Sequence, residues 1–321
     1  MYKGYVYMYS CHEDEKELKR LEMRALFEKE EPSSLLESSI KINPSRSPFI
    51  RGRLDIVFKE KSFADLEKII KGYKITTSFK IIVYRREEPP FKIHFQERRR
   101  MERALGESIK GEVDLQNPEV NWLLINDEDA WYFGPWTESE PMWLLHKKKP
   151  KMYSTALSTR VARSIVNIAL PQIENRTAID PCCGIGTVLV EALSMGVNII
   201  GSDRNPLAVI GARENIEHFG YSTDVKIQDL NTITSSFDVA ILDMPYNLCS
   251  VLPEQEKINL LSRLKNVSEK AVIITVEPLE RQLIDLGFDI VDRGTVRKSQ
   301  FKREIFVCKT NGRRASCIIT N

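Results

Sequence analysis

Two glycines and two aspartates within one short stretch could form a nucleotide site. Gly184 and Gly186 form a turn after an apolar strand that ends in Asp180, and residues 187–195 have the pattern of a helix. Glycines let the backbone turn tightly and approach a ligand, and the first N–H groups of a helix are unpaired donors. Asp203 follows Gly186 by 17 residues (203 minus 186), at the end of the next strand, where a carboxylate can bind ribose hydroxyls. These residues predict a cradle for a nucleoside-containing ligand.

The same stretch differs from a dinucleotide-binding loop. The pattern GxGxxG would place a third glycine at position 189, which is Leu189 here. The carboxylate of Asp180 would repel a pyrophosphate but suits a nucleoside that carries a positive group. The stretch resembles the S-adenosylmethionine site of class I methyltransferases, with a dinucleotide site and a glycine turn without a ligand as the alternatives.

A second set of residues, Asp243-Met244-Pro245-Tyr246, closes a later strand. An exocyclic amine of a nucleobase is a poor nucleophile, because its lone pair is delocalised into the ring. The Asp243 carboxylate and the Met244 carbonyl could accept hydrogen bonds from the two N–H groups of such an amine and favour the attacking nitrogen. Pro245 would fix the turn, and the Tyr246 ring could stack on a base for ~1–3 kcal/mol. An ordinary turn at a strand end is the alternative.

This second set resembles the Asp/Asn-Pro-Pro-Tyr/Phe motif of methyltransferases that act on base amino groups. Met244 replaces the first proline, which keeps the carbonyl but removes the rigidity of the ring. The resemblance implies that Asp229, after the third strand, accepts from the adenine amino group of the cofactor. The cofactor-binding residues that the resemblance implies are Asp180, Pro181, Gly184, Gly186, Thr187, Asp203, Arg204, Asp229 and Leu230.

Strands and helices alternate strictly from residue 177 onward, and this alternation must position both sets. Seven strands with crossovers predict a mostly parallel, doubly wound sheet whose last two strands form an antiparallel hairpin. Ligands of such sheets collect at the carboxyl ends of the strands, so the two sets should face one crevice. The predicted strands are 177–179, 197–202, 225–228, 239–242, 271–276, 289–293 and 305–308. The predicted fold class is α/β, with a seven-stranded, Rossmann-like class I methyltransferase sheet.

The first half of the chain predicts a smaller α+β domain, in which a helix over residues 95–110 carries five basic side chains. Residues 111–125 resemble the closing part of a THUMP domain, an RNA-binding module of tRNA-modifying enzymes. The stretch that carries this resemblance is Val113, Asp114, Leu115, Asn117 and Pro118. The predicted domains are an N-terminal extension with a THUMP-like domain (1–145), a basic linker (146–152), the methyltransferase domain (153–310, opening with a helix over 153–170) and a tail (311–321).

The composition is that of an ordinary globular protein of 321 residues, with 42% hydrophobic and 29% charged residues. The 47 basic residues are offset by 45 acidic ones, so the net charge of +2 does not by itself indicate a polyanionic partner. The six cysteines form no CxxC pair and no metal-ligand spacing with the four histidines, so no metal is expected. No apolar run could span a membrane, and the N-terminus lacks a signal-peptide pattern, so we expect a cytoplasmic location without membrane association.

The whole chain resembles the THUMP-bearing tRNA guanine-N2 methyltransferase family. The resemblance implies methyl transfer from S-adenosylmethionine to the N2 amine of a guanosine, with RNA, in the first place tRNA, as the partner. Basic stretches at 98–103, 147–151 and 297–303 would contact phosphates. A monomer is predicted, with a small activating protein subunit as a further partner. The alternatives are an adenine-N6 methyltransferase and an RNA-binding protein whose methyltransferase half has decayed.

Overall fold

The chain forms two compact units, each with its own β-sheet. The first unit comprises residues 1–10, 31–45 and 49–140, and the second comprises 11–30, 46–48 and 141–321. The computed structural model describes residues 4–86, 91–153, 156–245, 252–298 and 301–310. The division therefore differs from the predicted boundary at residue 145, because two N-terminal segments belong to the second unit.

The strands of the first unit are β1 (Tyr5–Tyr9), β2 (Leu35–Ser38), β3 (Ile50–Asp55), β4 (Phe58–Glu60), β5 (Phe79–Val83), β6 (Val120–Asn126) and β7 (Trp131–Glu138). Those of the second unit are β8 (Thr177–Asp180), β9 (Asn198–Asp203), β10 (Val225–Ile227), β11 (Phe237–Asp243), β12 (Ser268–Thr275), β13 (Asp289–Lys298) and β14 (Phe301–Lys309). The helices are α1 (Lys16–Phe27), α2 (Phe63–Ile70), α3 (Phe95–Ser108), α4 (Trp143–His146), α5 (Thr159–Ala169), α6 (Thr187–Ser194), α7 (Pro206–His218), α8 (Glu254–Val267) and α9 (Glu280–Asp285).

The first unit is one continuous sheet in the order β2-β1-β3-β7-β6-β5, with β4 also paired to β7. Helices α2 and α3 bury apolar residues at helical spacing, such as Leu66 with Ile70, in a core that also contains Phe79. The N-terminal extension and the α+β domain of the prediction are thus joined, because β3 pairs with β7 through Leu54 and Trp136.

The second unit has the predicted seven-stranded sheet, in the order β10-β9-β8-β11-β12-β14-β13. Neighbouring strands are parallel from β10 to β12, and β14 is antiparallel to both β12 and β13, which confirms the predicted closing hairpin. Residues 240–242 and 271–274 are fully buried apolar runs. Such runs are typical of parallel strands whose two faces are both covered.

Helix α5 is shorter than predicted, since it begins at Thr159 and not at residue 153. The Ser158 hydroxyl caps it by accepting from the N–H of Val161 at 3.4 Å. Every residue of α5 from 161 to 169 is buried. The linker prediction also needs correction: His146 ends α4 and is buried.

Helix α1 packs on α5 and β13 in the second unit. Its buried Glu22 accepts from the Ser47 hydroxyl at 2.5 Å and from the Asn167 amide at 2.7 Å. The guanidinium of Arg24 donates two hydrogen bonds of 2.8 Å to the carboxylate of Asp292. An N-terminal helix is therefore an integral part of the methyltransferase-like unit. Within the described part of the chain, no helix has the length and apolar character to cross a membrane.

Candidate active site

The loop between β8 and α6 has the backbone geometry that its glycines predict. Gly184 and Gly186 have φ angles of 52° and 76°, in the left-handed region that L side chains rarely adopt. Gly186 is the N-cap of α6, and a Cβ there would lie 3.1 Å from the Cβ of Ala212 in α7. The loop therefore requires glycine at 186 for both its conformation and its packing.

Asp203, the last residue of β9, holds this loop. One carboxylate oxygen, Oδ2, accepts from the N–H of Gly184 at 2.9 Å, and Oδ1 accepts from the N–H of Asn205 at 2.9 Å. The side chain of Asn205 caps α7 by accepting from the N–H of Leu207. The next strand, β10, is followed by Asp229, which is exposed and accepts from the N–H of Asn231 at 2.8 Å.

Four carboxyl groups thus lie at or just after the carboxyl ends of four adjacent strands. In the order of the sheet they are Asp229, Asp203, Asp180 and Asp243. Asp180 is buried, and burial, followed by the nearby Asp243, raises its pKa well above the usual range. Burial also raises the pKa of Asp243 to about 7, although the guanidinium of Arg303 partly opposes this. Both carboxyl groups therefore favour a positively charged or hydrogen-donating ligand.

One carboxylate oxygen of Asp243, Oδ1, is a buried hydrogen-bond acceptor without a donor among the described residues. A buried polar atom without a partner costs about 1–3 kcal/mol, so such atoms are uncommon outside functional sites. An amine bound beside Asp243 would remove this cost.

Met244 compensates for the proline that the motif lacks. Its side chain is buried in the core on one face of the sheet, and its N–H donates to the carbonyl of Ile274 in β12 at 2.8 Å. Packing and a backbone hydrogen bond therefore restrain this residue where a ring would restrain proline. Pro245 follows within the described residues, whereas Tyr246 lies outside them.

One cleft of about 250 Å³ joins the two sets of residues that the sequence indicates. Gly186 starts the helix beside it. The predicted residues that line the cleft are Asp180, Pro181, Gly184, Thr187, Asp203, Arg204, Asp229, Leu230, Asp243, Met244 and Pro245. Leu230 is a buried core residue that also lines the cleft. Arg204 is exposed and forms an ion pair with Glu256. The structure thus brings together residues from four strand ends.

Other residues of the cleft were not predicted from the sequence. Tyr153 and Leu157 line it from the segment before α5, where a helix was expected instead. Gln228 and Asn231 lie close to Asp229 in the chain and also line the cleft. Their position directly after a strand could have identified them as site residues from the sequence. Glu191, in α6, is fully buried; it accepts from Arg163 at 2.9 Å and pairs with His146 Nδ1 at 2.8 Å.

Comparison with known proteins finds methyltransferases among the proteins that this chain resembles. The model of UPF0020, described as an RMKL-like methyltransferase domain, matches residues 146–274. A tRNA (guanine(10)-N2)-dimethyltransferase of Methanothermobacter thermautotrophicus is 30% identical over 221 residues, which are 62% of this chain and 65% of that protein. The corresponding protein of Pyrococcus abyssi is 32% identical over 159 residues, which are 46% of this chain and 47% of that protein.

The U6 snRNA (guanine-N(2))-methyltransferase THUMPD2 of Mus musculus is 24% identical over 62% of this chain and 39% of that protein. The matched part of the chain thus spans between 39% and 65% of the length of these three relatives. The solved structure of TrmN from Thermus thermophilus is 16% identical, with a TM-score of 0.49 over 96% of this chain and 99% of that one. The family model and the curated relatives agree with the resemblance found in the sequence, and residues 146–274 of this chain are similar to the RMKL-like methyltransferase domain.

Proposed function

We propose that this protein transfers a methyl group from S-adenosylmethionine to the N2 amine of a guanosine in RNA, in the first place tRNA. The observation that carries the proposal is the buried, unpartnered Oδ1 of Asp243 in the same cleft as the glycine loop. The relatives named above are guanine-N2 methyltransferases that act on tRNA and U6 snRNA. The substrates of these relatives are the reason for proposing RNA as the substrate of this protein.

The residues of the cleft fit S-adenosylmethionine. When bound, this cofactor supplies a methyl group made electrophilic by a sulfonium. Asp203 has the position from which a carboxylate binds ribose hydroxyls, and its hold on Gly184 keeps the loop open for close approach. The buried Thr187 Oγ1 lacks a partner among the described residues and is available to a ligand. Burial raises the pKa of Asp180, and a cationic cofactor bound beside it would oppose this rise by stabilising the charged carboxylate.

The role of Asp243 follows from its position and its pKa. As a carboxylate it accepts one N–H of the target amine, and the carbonyl of Met244 accepts the other. These two hydrogen bonds orient the amine and favour the nitrogen geometry that attacks a methyl group. A carboxyl with its pKa raised to about 7 can also hold the proton that the amine releases.

The RNA would be held in part by the first unit. Helix α3 carries Arg98, Arg99, Arg100 and Arg103, and its first residue, Phe95, is 62% exposed. Arg99 and Arg100 pair with glutamates of the same helix at 2.8 and 2.6 Å, so part of this charge is already neutralised. We infer that the helix contributes phosphate contacts within a THUMP-like domain. Affinity should then fall as salt concentration rises.

Mass spectrometry of nucleosides tests the proposed reaction. The purified protein is incubated with unmodified tRNA transcripts and isotope-labelled S-adenosylmethionine, and the RNA is digested. Labelled N2-methylguanosine is the expected product, and it should be absent with Asp243→Ala. Detection of labelled N6-methyladenosine instead would show that the target base is adenine and not guanine. Failure of S-adenosylmethionine to bind in calorimetry would indicate a decayed site.

The working form proposed from the family resemblance is a cytoplasmic monomer that can be activated by a small protein subunit. Light scattering of the purified chain measures the monomer directly. Affinity purification from the native cell, followed by an activity assay with and without the co-purified protein, tests the subunit. A purified chain with full activity alone would remove the subunit from the proposal.

A further inference from the structure

A small recess lies beside the cleft, near the end of β12. Met244 and Pro245 line both the cleft and the recess, and Glu277 and Lys257 line the recess. Asp243 pairs with Ile274 in the parallel register of β11 and β12, so Glu277 lies three residues beyond that level (277 minus 274). Glu277 therefore extends the row of acidic strand ends from four strands to a fifth.

Glu277 and Lys257 form a positioned ion pair. The Nζ atom of Lys257, a buried residue of α8, donates to the carboxylate of Glu277 at 2.7 Å. The backbone of Glu277 is held by Thr275, whose hydroxyl accepts from the Glu277 N–H and donates to its carbonyl, both at 3.0 Å. Glu254 is a second carboxylate near Lys257, at 3.6 Å. The recess thus presents one acceptor and one donor whose places are fixed before any ligand binds.

The base edge of guanine has a matching order of groups. Reading away from the N2 amine, it carries the N1–H donor and then the O6 acceptor. With the amine at Asp243, which is the proposed function on which this inference rests, the remaining edge can extend over the end of β12. We propose that Glu277 and Lys257 select guanine, with Glu277 accepting from N1–H and Lys257 donating to O6.

The same pair disfavours adenine. Beside its N6 amine, adenine has the N1 acceptor, whose lone pair would face the carboxylate of Glu277. A site built to hydrogen-bond a group rejects an analogue that lacks it, because its own polar groups are left unpaired. The pair therefore separates two substrates whose amines Asp243 alone could not distinguish. In the sequence, the pair is marked by Glu277-Pro278, which follows the predicted strand 271–276.

The test uses a base that keeps the amine and changes the rest of the edge. Once the methylated guanosine is mapped with wild-type protein, the same RNA is made with 2-aminopurine there, which has the N2 amine, an N1 acceptor and no O6. Wild-type kcat/KM for guanine should exceed that for 2-aminopurine by roughly 100-fold. Glu277→Gln should reduce this ratio to about tenfold or less, because a glutamine amide can donate to N1.

Two further variants make the result specific. Glu254→Gln removes the other carboxylate near Lys257 and should keep the wild-type ratio. Lys257→Gln should lower the preference as Glu277→Gln does, and calorimetry with S-adenosylmethionine checks that each variant folds. An unchanged ratio in Glu277→Gln, or an equal change in Glu254→Gln, would overturn the assignment. Absence of any guanosine methylation by the wild type would instead reject the proposed function.

Discussion

The carboxylate of Asp203 accepts a hydrogen bond of 2.9 Å from the backbone N–H of Gly184, which joins the end of β9 to the loop after β8. The residue that would bind the ribose is therefore also the residue that shapes the glycine loop. Cofactor affinity should depend on this one side chain in two ways.

Replacement of Asp203 by Ala should weaken S-adenosylmethionine binding by about 10- to 100-fold, since a hydrogen bond to a charged group contributes about 1.5–3 kcal/mol. Isothermal titration calorimetry measures the change in Kd. Asp224→Ala is the matched control, because this exposed carboxylate before β10 pairs with Lys226 at 2.9 Å and does not line the cleft. Equal affinities of the two variants would contradict the role of Asp203.

Gly186→Ala should reduce both stability and cofactor affinity. The φ of 76° would strain an alanine by about 1–2 kcal/mol, and its Cβ would press on Ala212. Gly196→Ala, at the other end of α6, has a φ of 77° but nothing within 4 Å of the added Cβ. Both variants should unfold at lower denaturant concentrations, but only Gly186→Ala should raise the Kd for the cofactor.

Asp243→Asn should separate activity from stability. Loss of the carboxylate should lower kcat by about 100- to 1,000-fold. The folded state raises the pKa of this group from 3.8 to about 7, so the stability it contributes is present below pH 3.8 and lost as pH rises through 7. The variant should therefore be more stable than wild type above pH 7, by about 1–4 kcal/mol. Lower stability at that pH would contradict the burial argument.

Glu22→Gln should make stability less dependent on pH. Burial raises the pKa of Glu22 from 4.5 to about 7, against the lowering effect of its hydrogen bonds from Ser47 and Asn167. Wild-type stability should decline as pH rises through 7, because the charged carboxylate must then be buried. Urea unfolding at about pH 5.5 and pH 8.5 measures this decline. Glu17→Gln, at an exposed position of the same helix, should leave it unchanged.

Glu191→Ala should cost about 3–5 kcal/mol, since it leaves the buried guanidinium of Arg163 without its carboxylate. Denaturant unfolding gives the free energy. Glu214→Ala breaks the more exposed pair with Lys151 and should change stability by less than about 1 kcal/mol. Arg163 also donates to the Ser194 hydroxyl and to the carbonyl of Arg46. A small effect of Glu191→Ala would mean that these two acceptors are enough to stabilise the buried guanidinium.

The second sheet was predictable because local signals define it. Central strands such as β11 and β12 contain buried apolar runs, and connection handedness leaves few topologies for an alternation of strands and helices. The glycine loop, Asp203 and Asp243 could be located for the same reason, since they stand directly after strands. Contacts between distant segments have no such local signal. Neither the pairing of β3 with β7 nor the role of the Lys257–Glu277 pair follows from spacing along the chain.

The position of α1 has a consequence for how the protein is made. The ion pair of Arg24 with Asp292 joins residues that are 268 positions apart in the chain. During synthesis α1 therefore leaves the ribosome long before β13, against which it packs. The helix must remain without this packing partner while the first unit folds. A gene fragment that starts at residue 141 would lack this helix and expose the apolar surface that Leu18 and Leu21 cover. The methyltransferase-like unit can be expected to require its N-terminal helix, supplied within the chain or as a separate peptide, to fold and stay in solution.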